Sequence, residues 1–332
     1  MPHSLTADLG IARTLRGMRI GLGLDTSKSI GEAIEAARRH EAEGFSHVSS
    51  SHIFGYDALT LLGAVGAAVP RVELVTAVVP IYTRHPIAMA QQALTLQAAT
   101  GGRLVLGIGL SHQIVVEAVY GLSFGQPLRA MREYLEVLMP LVRGERVSYA
   151  GETLRVNAQL DIPGAEPPPV IVAALGTAML ELAGAMADGT ATWMTGVRTL
   201  AEHTVPTIRA AAERAGRPSP RVMAALPVCV TEDAEAARQR VDETFAIYGT
   251  LPSYRAMLDR EGAAGPGDAA IVGTAEEVRA AIEALAAAGV TDFSPAPVGS
   301  REEVGATVAL AREIAATAGS GSPGGPGLPF GS

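Results

Sequence analysis

Short β-branched and apolar runs alternate with longer helical stretches along most of this chain, and that alternation constrains the fold more than any other feature. Strands that alternate with helices predict a parallel sheet with right-handed crossovers. Eight strand–helix units predict an α/β protein, a (β/α)8 TIM barrel with insertions in its βα loops. The runs that qualify as strands are Arg19–Leu24, Phe45–Ser50, Val72–Val79, Arg103–Gly109, Val170–Ala174, Thr190–Thr195, Val222–Val230 and Val290–Ser294.

A doubly wound open sheet is the main alternative to a closed barrel. It would be favoured by a Gly-x-Gly-x-x-Gly turn between a strand and a helix, because such a turn lets a dinucleotide approach the backbone. The stretch GLGLDT at 21–26 carries only the first two glycines of that pattern. The barrel is therefore the better prediction.

Several helix boundaries carry recognisable signals. A hydroxyl residue followed three positions later by glutamate predicts a capping box at the start of a helix, in the pairs Ser29–Glu32, Thr274–Glu277 and Ser300–Glu303. A glycine between a helical stretch and a strand predicts a left-handed helix end, at Gly44, Gly189 and Gly289.

Two insertions interrupt the alternation. The stretch VSYAGETLRV at 147–156 alternates around Ala-Gly and predicts a β-hairpin between the helix ending near Arg143 and the strand that starts at Val170. Residues 249–273 form the second insertion, between the helix after strand seven and the helix before strand eight. Because long loops of a barrel usually shape its active-site mouth, we expect both insertions there.

The two ends of the chain differ from the middle in composition. Residues 1–17 predict a flexible N-terminal extension, residues 18–317 a single barrel domain, and residues 318–332, rich in Gly, Ser and Pro, a disordered tail. The formal net charge is −8 and no basic run exceeds two residues, so we expect neither nucleic acid nor a membrane as a partner. Cys229 is the only cysteine, which excludes an intramolecular disulfide and a cysteine-based zinc site, and we expect no metal. A cytoplasmic protein that acts on a small molecule fits this composition, with a homodimer left open.

Polar or conformationally special residues follow four of the predicted strands, at the barrel face where functional groups gather. A lone loop histidine beside helix-capping serines would need no ligand, but four polar strand ends at one face favour a binding pocket. The strand–Gly–helix junction at Gly176 is equally compatible with an ordinary turn and with a phosphate site at a helix N-terminus. The four ends are Ser51-His52, Thr76-Ala77-Val78, Gly109-Leu110-Ser111-His112 and Ala174-Leu175-Gly176-Thr177.

Three strings carry a resemblance to a known family: TAVVPIYTRHP at 76–86, GIGLSHQIVVE at 107–117 and TLPSYRAMLDREGAAGP at 250–266. Over roughly residues 18–295 the chain resembles the luciferase-like monooxygenase superfamily, and more narrowly its F420-dependent oxidoreductase branch. The resemblance implies a barrel that binds coenzyme F420, or alternatively FMN, at its mouth. It also implies a cis peptide bond at Ala77–Val78.

Cofactor contacts follow from the same resemblance. Many relatives end strand two with Ser-Asp-His, whereas this chain has Ser51-His52-Ile53. Matched by residue type, His52 is the family histidine; counted from Phe45, it stands at the aspartate. The lysine of phosphosugar-oxidising relatives is Val197 here, which disfavours a sugar phosphate substrate. The implied cofactor-binding residues, with the phosphate at the last four, are Ser51, Thr76, Ala77, Val78, Gly109, Ser111, Ala174, Leu175, Gly176 and Thr177.

The activity implied is hydride transfer between the deazaflavin C5 of F420 and a small organic substrate, as reduction of C=C or C=N or oxidation of an alcohol. His52, with His112 as the second choice, is the candidate catalytic residue, because an imidazole titrates near neutral pH and can supply a proton. Trp193, Tyr254 and Arg255 are the candidate substrate contacts. Two alternatives remain: an FMN-dependent luciferase-like monooxygenase and a non-catalytic cofactor-binding barrel.

Overall fold

The computed structural model describes residue 15 and residues 17–319, so the predicted extension and tail lie almost entirely outside the described residues. Within them the strands are β1 (Arg19–Gly23), β2 (His47–Ser50), β3 (Glu73–Thr76), β4 (Val79–Pro80), β5 (Leu104–Gly109), β6 (Val147–Ala150), β7 (Arg155–Ala158), β8 (Val170–Ala173), β9 (Gly189–Trp193), β10 (Arg221–Val230), β11 (Ile271–Gly273) and β12 (Asp292–Pro297). The helices are α1 (Ile30–Ala42), α2 (Ala58–Ala68), α3 (Pro86–Thr100), α4 (Pro127–Val142), α5 (Thr177–Met186), α6 (Val197–Thr199), α7 (Val205–Arg214), α8 (Ala234–Thr244), α9 (Pro252–Glu261), α10 (Pro266–Ala269), α11 (Ala275–Ala288) and α12 (Arg301–Gly319). Single π-helical turns follow β5 (Val115–Val119) and join α6 to α7 (Leu200–Thr204).

Eight of these strands close into a parallel barrel in the order β1-β2-β3-β5-β8-β9-β10-β12, and β12 pairs back onto β1. The barrel prediction is confirmed. β3 and β4 are two halves of one barrel strand, because β3 pairs with the beginning of β5 and β4 with its end. All six residues of β5 are buried, as expected for a parallel sheet that is covered on both faces.

The predicted helix boundaries are largely confirmed. Ser29, Thr274 and Ser300 each accept the N–H of the glutamate three residues on, and that glutamate accepts the N–H of the cap residue. Gly44 and Gly289 have φ values of 86° and 99°, which places them in the left-handed region that glycine tolerates.

The prediction for Gly189 is wrong. Helix α5 ends before it, and Gly189 opens β9 instead of ending the helix. A Cβ atom at this position would overlap the Arg221 carbonyl oxygen on β10. The glycine is therefore required by the close approach of two strands, and not by a left-handed helix end.

The predicted hairpin forms from β6 and β7, which pair antiparallel. It connects α4 to β8, so it enters a strand instead of leaving one, and it packs against α4. Glu133 of α4 fixes the hairpin turn by accepting the N–H groups of Glu152, Thr153 and Leu154 at 2.9–3.1 Å. The expectation that this insertion extends from the carboxyl end of a strand is corrected accordingly.

The second insertion, residues 249–273, does lie at the carboxyl end of a strand. It follows α8, contains α9 and α10, and ends in the short strand β11, which pairs with the last residues of β10. Arg255 holds it together: its guanidinium donates to the carbonyls of Ala263 and Ala264 and to the Asp259 carboxylate at 2.6–2.9 Å. All three of its nitrogens are engaged, so we reassign Arg255 from substrate binding to support of the insertion.

The opposite end of the barrel, where the strands begin, is closed by charged side chains. Arg221 donates to Asp292 at 2.6 Å and to Glu73 at 2.9 Å, and Arg19 donates to Asp292 at 3.0 Å. Burial alone would raise the pKa of Asp292, but the attraction of Arg221 outweighs it and the pKa is lowered. Asp292 is therefore held as a buried carboxylate in an ion-pair network.

His47 of β2 fills the barrel interior next to this network. Its side chain is fully buried, and its Nε2 lies 2.8 Å from the Ser294 hydroxyl on β12. Burial lowers the pKa of His47 to about 4. Gly21 of β1 makes room for the ring, because a Cβ atom there would overlap it.

Candidate active site at the carboxyl ends of the barrel strands

His52 follows β2 and is held by the first residues of α2. Its Nδ1 accepts the backbone N–H of Ala58 at 3.2 Å and lies 3.7 Å from the Asp57 carboxylate. Because Nδ1 is the acceptor, the neutral ring carries its proton on Nε2. Burial lowers the pKa of His52 below 6.5, against the weaker opposing attraction of Asp57. The ring is therefore neutral at pH 7, with Nε2 as its donor.

Asp57 links the loop after β2 to the loop after β4. Its carboxylate accepts the N–H and hydroxyl of Thr60 at 2.9 Å, which caps α2, and it forms an ion pair with Arg84. The Arg84 side chain is only 16% exposed, and its Nη1 is buried without a partner. Sequence reasoning missed this pair, because its members are 27 positions apart and the string TAVVPIYTRHP, which contains Arg84, does not indicate Asp57 as a partner.

Strand three contains the cis peptide bond Ala77–Val78 between β3 and β4, as the resemblance implies. Thr76, directly before it, is fully buried. Its hydroxyl donates to the Gly107 carbonyl and accepts the Gly107 N–H, both at 2.8 Å. We therefore correct the expected cofactor contact of Thr76, since its side chain is inaccessible and links two strands.

The turn after β5, the fourth barrel strand, lies close to the third barrel strand, which consists of β3 and β4. A Cβ atom at Gly109 would lie 2.7 Å from the Val78 side chain and 3.1 Å from the Ala173 side chain. Ser111 has a φ of 62°, a left-handed conformation that is uncommon outside glycine. The turn carries His112, whose pKa is lowered by burial, so that this imidazole is also neutral at pH 7.

The junction between β8, the fifth barrel strand, and α5 exposes backbone N–H groups. Gly176 stands at the start of α5 in an extended conformation, and no side chain caps that helix. A Cβ atom at Gly176 would meet nothing within 4 Å. The turn itself is fixed, because the buried His203 donates from Nε2 to the Leu175 carbonyl at 2.9 Å. The first N–H groups of α5 therefore have no intrahelical or side-chain partner and face open space.

Five aromatic rings, which we call the aromatic cluster, connect the ends of β5 and β9 to the segment between β10 and β11: His112, Trp193, Phe245, Tyr248 and Tyr254. The rings of Tyr248 and Tyr254 lie 4.8 Å apart, those of His112 and Tyr254 5.8 Å, and those of Trp193 and Phe245 5.4 Å. The cluster thus brings together three of the residues predicted from the sequence. Phe245 and Tyr248 were missed, because the cluster forms from three distant segments without a periodic pattern.

Other features lie away from this face. A cavity of about 500 Å³ lies where α4 ends, lined by Arg143, Gln159 and Asp161 among others. A second cavity, of about 470 Å³, lies between α11 and α12 and includes Arg279 and Glu313. Neither contains a predicted site residue. Within residues 17–319 no helix has both the length and the apolar character to cross a bilayer. The described residues include no group of three or more His, Cys, Asp or Glu side chains that could hold a metal ion.

Comparison with known protein families finds one that spans nearly all of the barrel. The luciferase-like monooxygenase family matches residues 15–318. The chain belongs to the luciferase-like monooxygenase family. One sequence relative is the 5,10-methylenetetrahydromethanopterin reductase of Methanolobus tindarius, which is 26% identical over 318 residues, covering 86% of this chain and 96% of the reductase.

Two solved structures of the family share the fold. The coenzyme F420 dependent tetrahydromethanopterin reductase of Methanopyrus kandleri has a TM-score of 0.73 at 21% identity and covers 87% of this chain and 97% of its own. The oxygenating constituent of 3,6-diketocamphane monooxygenase of Pseudomonas putida, in complex with FMN, has a TM-score of 0.70 at 16% identity. It covers 92% of this chain and 99% of its own. At these identities the two structures establish the fold alone.

Proposed function

We propose that this protein is an F420-dependent oxidoreductase that transfers a hydride between the deazaflavin and a small organic substrate. One observation carries the proposal: the uncapped start of α5 at Gly176 stands at the strand end where the family resemblance expects the cofactor phosphate. A relative named as a putative coenzyme F420-dependent oxidoreductase and the coenzyme F420 dependent reductase among the structural neighbours support the choice of cofactor.

The residues present fit a phosphate-bearing cofactor. Free N–H groups at Gly176, Thr177 and Ala178 and the positive end of the α5 dipole suit an anion. Leu175 is held by His203, so these donors are arranged before a ligand arrives. The turn from Gly109 to His112, with Ala77 and Val78 beside it, would line the ring side of the cofactor. When bound, the deazaflavin supplies the hydride at its C5 carbon.

His52 would act as a hydrogen-bond donor toward the reacting groups. Its Nδ1 is occupied by the Ala58 N–H, so only Nε2–H is available. A neutral imidazole is a poor acid but a good donor to an oxygen that gains negative charge. We therefore refine the role of His52 from proton source to stabilising donor. Asp57 and Arg84 position the ring through the loop that they fix.

The alternative is an FMN-dependent monooxygenase on the same barrel, as in the FMN complex from Pseudomonas putida. Both cofactors carry a phosphate, so the α5 start does not distinguish between them. Equilibrium titration of the purified protein with F420 and with FMN separates the two. Saturable binding of F420 at lower concentration than FMN is expected, and a preference for FMN would replace this proposal by the alternative.

A further inference from the structure

We propose that the aromatic cluster is the substrate site, and that its substrate is a neutral, planar, conjugated carbonyl compound of the aryl enone type. This inference deepens the proposed function and rests on it for the source of the hydride. The binding surface itself is inferred only from the residues of this chain.

The shape of the cluster favours a flat ligand. His112 follows β5, Trp193 ends β9, and Phe245, Tyr248 and Tyr254 reach them from the segment between β10 and β11. The rings meet at interplanar angles between 54° and 77° across the cluster, so both faces and edges are presented. Planar conjugated molecules gain from offset or edge-to-face packing on such rings.

The cluster contains one buried donor that lacks a hydrogen-bond partner. The indole N–H of Trp193 is buried and forms no hydrogen bond. Burial raises the pKa of the neighbouring Tyr248 phenol, and the nearby indole N–H lowers it by a smaller amount without forming a regular hydrogen bond to it. Buried donors are normally satisfied. A ligand carbonyl would supply the missing acceptor.

The cluster carries no charge that could balance an anionic ligand. Burial lowers the pKa of His112 and raises the pKa of Tyr248 and of Tyr254, so all three are neutral at pH 7. Arg255, which directly follows Tyr254 in the sequence, donates to the backbone carbonyls of Ala263 and Ala264 and to the Asp259 carboxylate. A carboxylate or phosphate placed among these rings would be desolvated without compensation. The ligand is therefore neutral.

The chemistry of an enone uses these features. Hydride adds to the β-carbon, the C=C electron pair forms a new double bond to the carbonyl carbon, and the C=O electron pair moves to oxygen as an enolate. A proton from water then adds to the α-carbon as the C=O bond re-forms. The enone is reduced by two electrons, which come from the reduced deazaflavin of the proposed function. The Trp193 N–H would donate to the oxygen that becomes negative.

Three matched probes test the inference by isothermal titration calorimetry on the full chain, without cofactor and again with saturating F420. They are 4-phenylbut-3-en-2-one, the planar carboxylate trans-cinnamate, and the non-planar ketone 4-phenylbutan-2-one. We expect the enone to bind about tenfold or more tightly than cinnamate and several-fold more tightly than the saturated ketone. Trp193 is the only tryptophan of the chain, so a change in its emission on enone binding, corrected for absorption, locates the ligand at the cluster.

A variant pair tests the donor. Trp193→Phe keeps an aromatic ring and removes the N–H, and it should weaken enone binding about three- to tenfold, with cinnamate unchanged. Tyr149→Phe is the control: it removes one hydroxyl from the β6–β7 hairpin, away from the aromatic cluster, and should leave the dissociation constants of all three probes unchanged. Enone binding that is no tighter than cinnamate binding under both conditions, or that is unaltered in Trp193→Phe, would overturn the inference.

The outcomes also separate this inference from the proposed function. If the enone binds as expected but reduced F420 transfers no hydride to it, the proposed function fails and the substrate site stands. If F420 supports hydride transfer to other molecules while the probes show no preference for the enone, the substrate inference fails and the proposed function stands.

Discussion

The start of α5 offers a substitution that separates cofactor binding from folding. A Cβ atom at Gly176 meets nothing within 4 Å, and the backbone is extended with φ −77°. The first atom of a valine side chain therefore meets no neighbour, and because valine is a poorer N-cap residue than glycine, the melting temperature of Gly176→Val should fall only slightly. The branched side chain would, however, occupy the space that a phosphate needs to reach the backbone donors.

The expected loss follows from the donors that the new valine side chain would screen. A hydrogen bond to a charged group contributes about 1.5–3 kcal/mol, and the helix dipole contributes about 0.3–1 kcal/mol more. Loss of one such contact with part of the dipole term corresponds to about 2–3 kcal/mol, or about 30- to 150-fold in the dissociation constant.

The assay is a titration of F420 into each protein, followed by the fluorescence or visible absorption of the cofactor. Gly31→Val is the matched control: Gly31 also lies in the first turn of a helix with open space around it, but Ser29 caps that helix. The control should bind F420 like the wild type. An F420 affinity within about twofold of wild type in a folded Gly176→Val protein would refute the phosphate placement.

Three further predictions concern His47, inside the barrel, and His52, at its rim. His52→Ala should lower turnover about 10- to 100-fold at saturating cofactor, with little change in melting temperature. Because the imidazole of His52 is already neutral in the wild type, the wild-type hydride-transfer rate should not vary between pH 7 and 8. A wild-type rate that falls tenfold across that range would identify an imidazolium acid instead. Gly21→Ala should lower the free energy of unfolding by about 1–3 kcal/mol in urea titrations, because the new methyl group would overlap the His47 ring; Gly23→Ala on the same strand, with 3.8 Å to its nearest neighbour, is the control, and equal losses in both would contradict the packing account. His47 has a pKa of about 4 when folded and 6.5 when unfolded, so the unfolded chain binds the extra proton and stability is lost as the pH falls from 6.5 toward 4, by about 3 kcal/mol from this group alone; His47→Gln should lose correspondingly less over that range, and an identical loss in both proteins would show that the ring is not buried in its neutral form.

The fold was largely predictable because its signals are local. Apolar runs indicated the barrel strands, and the capping boxes at Ser29 and Thr274 indicated helix starts, since both depend on residues a few positions apart. Gly189 misled the sequence analysis because a glycine satisfies two different needs, a left-handed helix end and a close strand contact, and the sequence does not tell which applies. β11 was missed because three residues are too few to show alternation.

The candidate site was predictable only where it follows strand ends. His52, His112 and the Gly176 junction lie where a barrel gathers its functional groups, so the positions could be deduced once the strands were placed. The Asp57–Arg84 pair connects two separate loops, and nothing in the sequence indicates that these two residues meet.

The buried His47 and two residues of the aromatic cluster, Phe245 and Tyr248, escaped the sequence analysis for a related reason. His47 lies inside a strand, away from the strand end that carried the polar signal, and its partner Ser294 is 247 positions away. Phe245 and Tyr248 precede the quoted string TLPSYRAMLDREGAAGP, and only folding brings them to Trp193. Opposite His47, Gly21 was the available clue, because a glycine in a buried strand often marks a bulky neighbour.

The central claim is the choice of cofactor, and one measurement tests it most directly. Purified protein, freed of bound small molecules, is titrated in parallel with F420 and with FMN, and the reduced form of whichever binds is mixed with 4-phenylbut-3-en-2-one in a single turnover. We predict saturable binding of F420, weaker or no binding of FMN, and oxidation of reduced F420 by the enone without oxygen. Tight binding of FMN with no binding of F420 would contradict it in favour of a flavin monooxygenase, and binding of neither would contradict it in favour of a barrel without redox function.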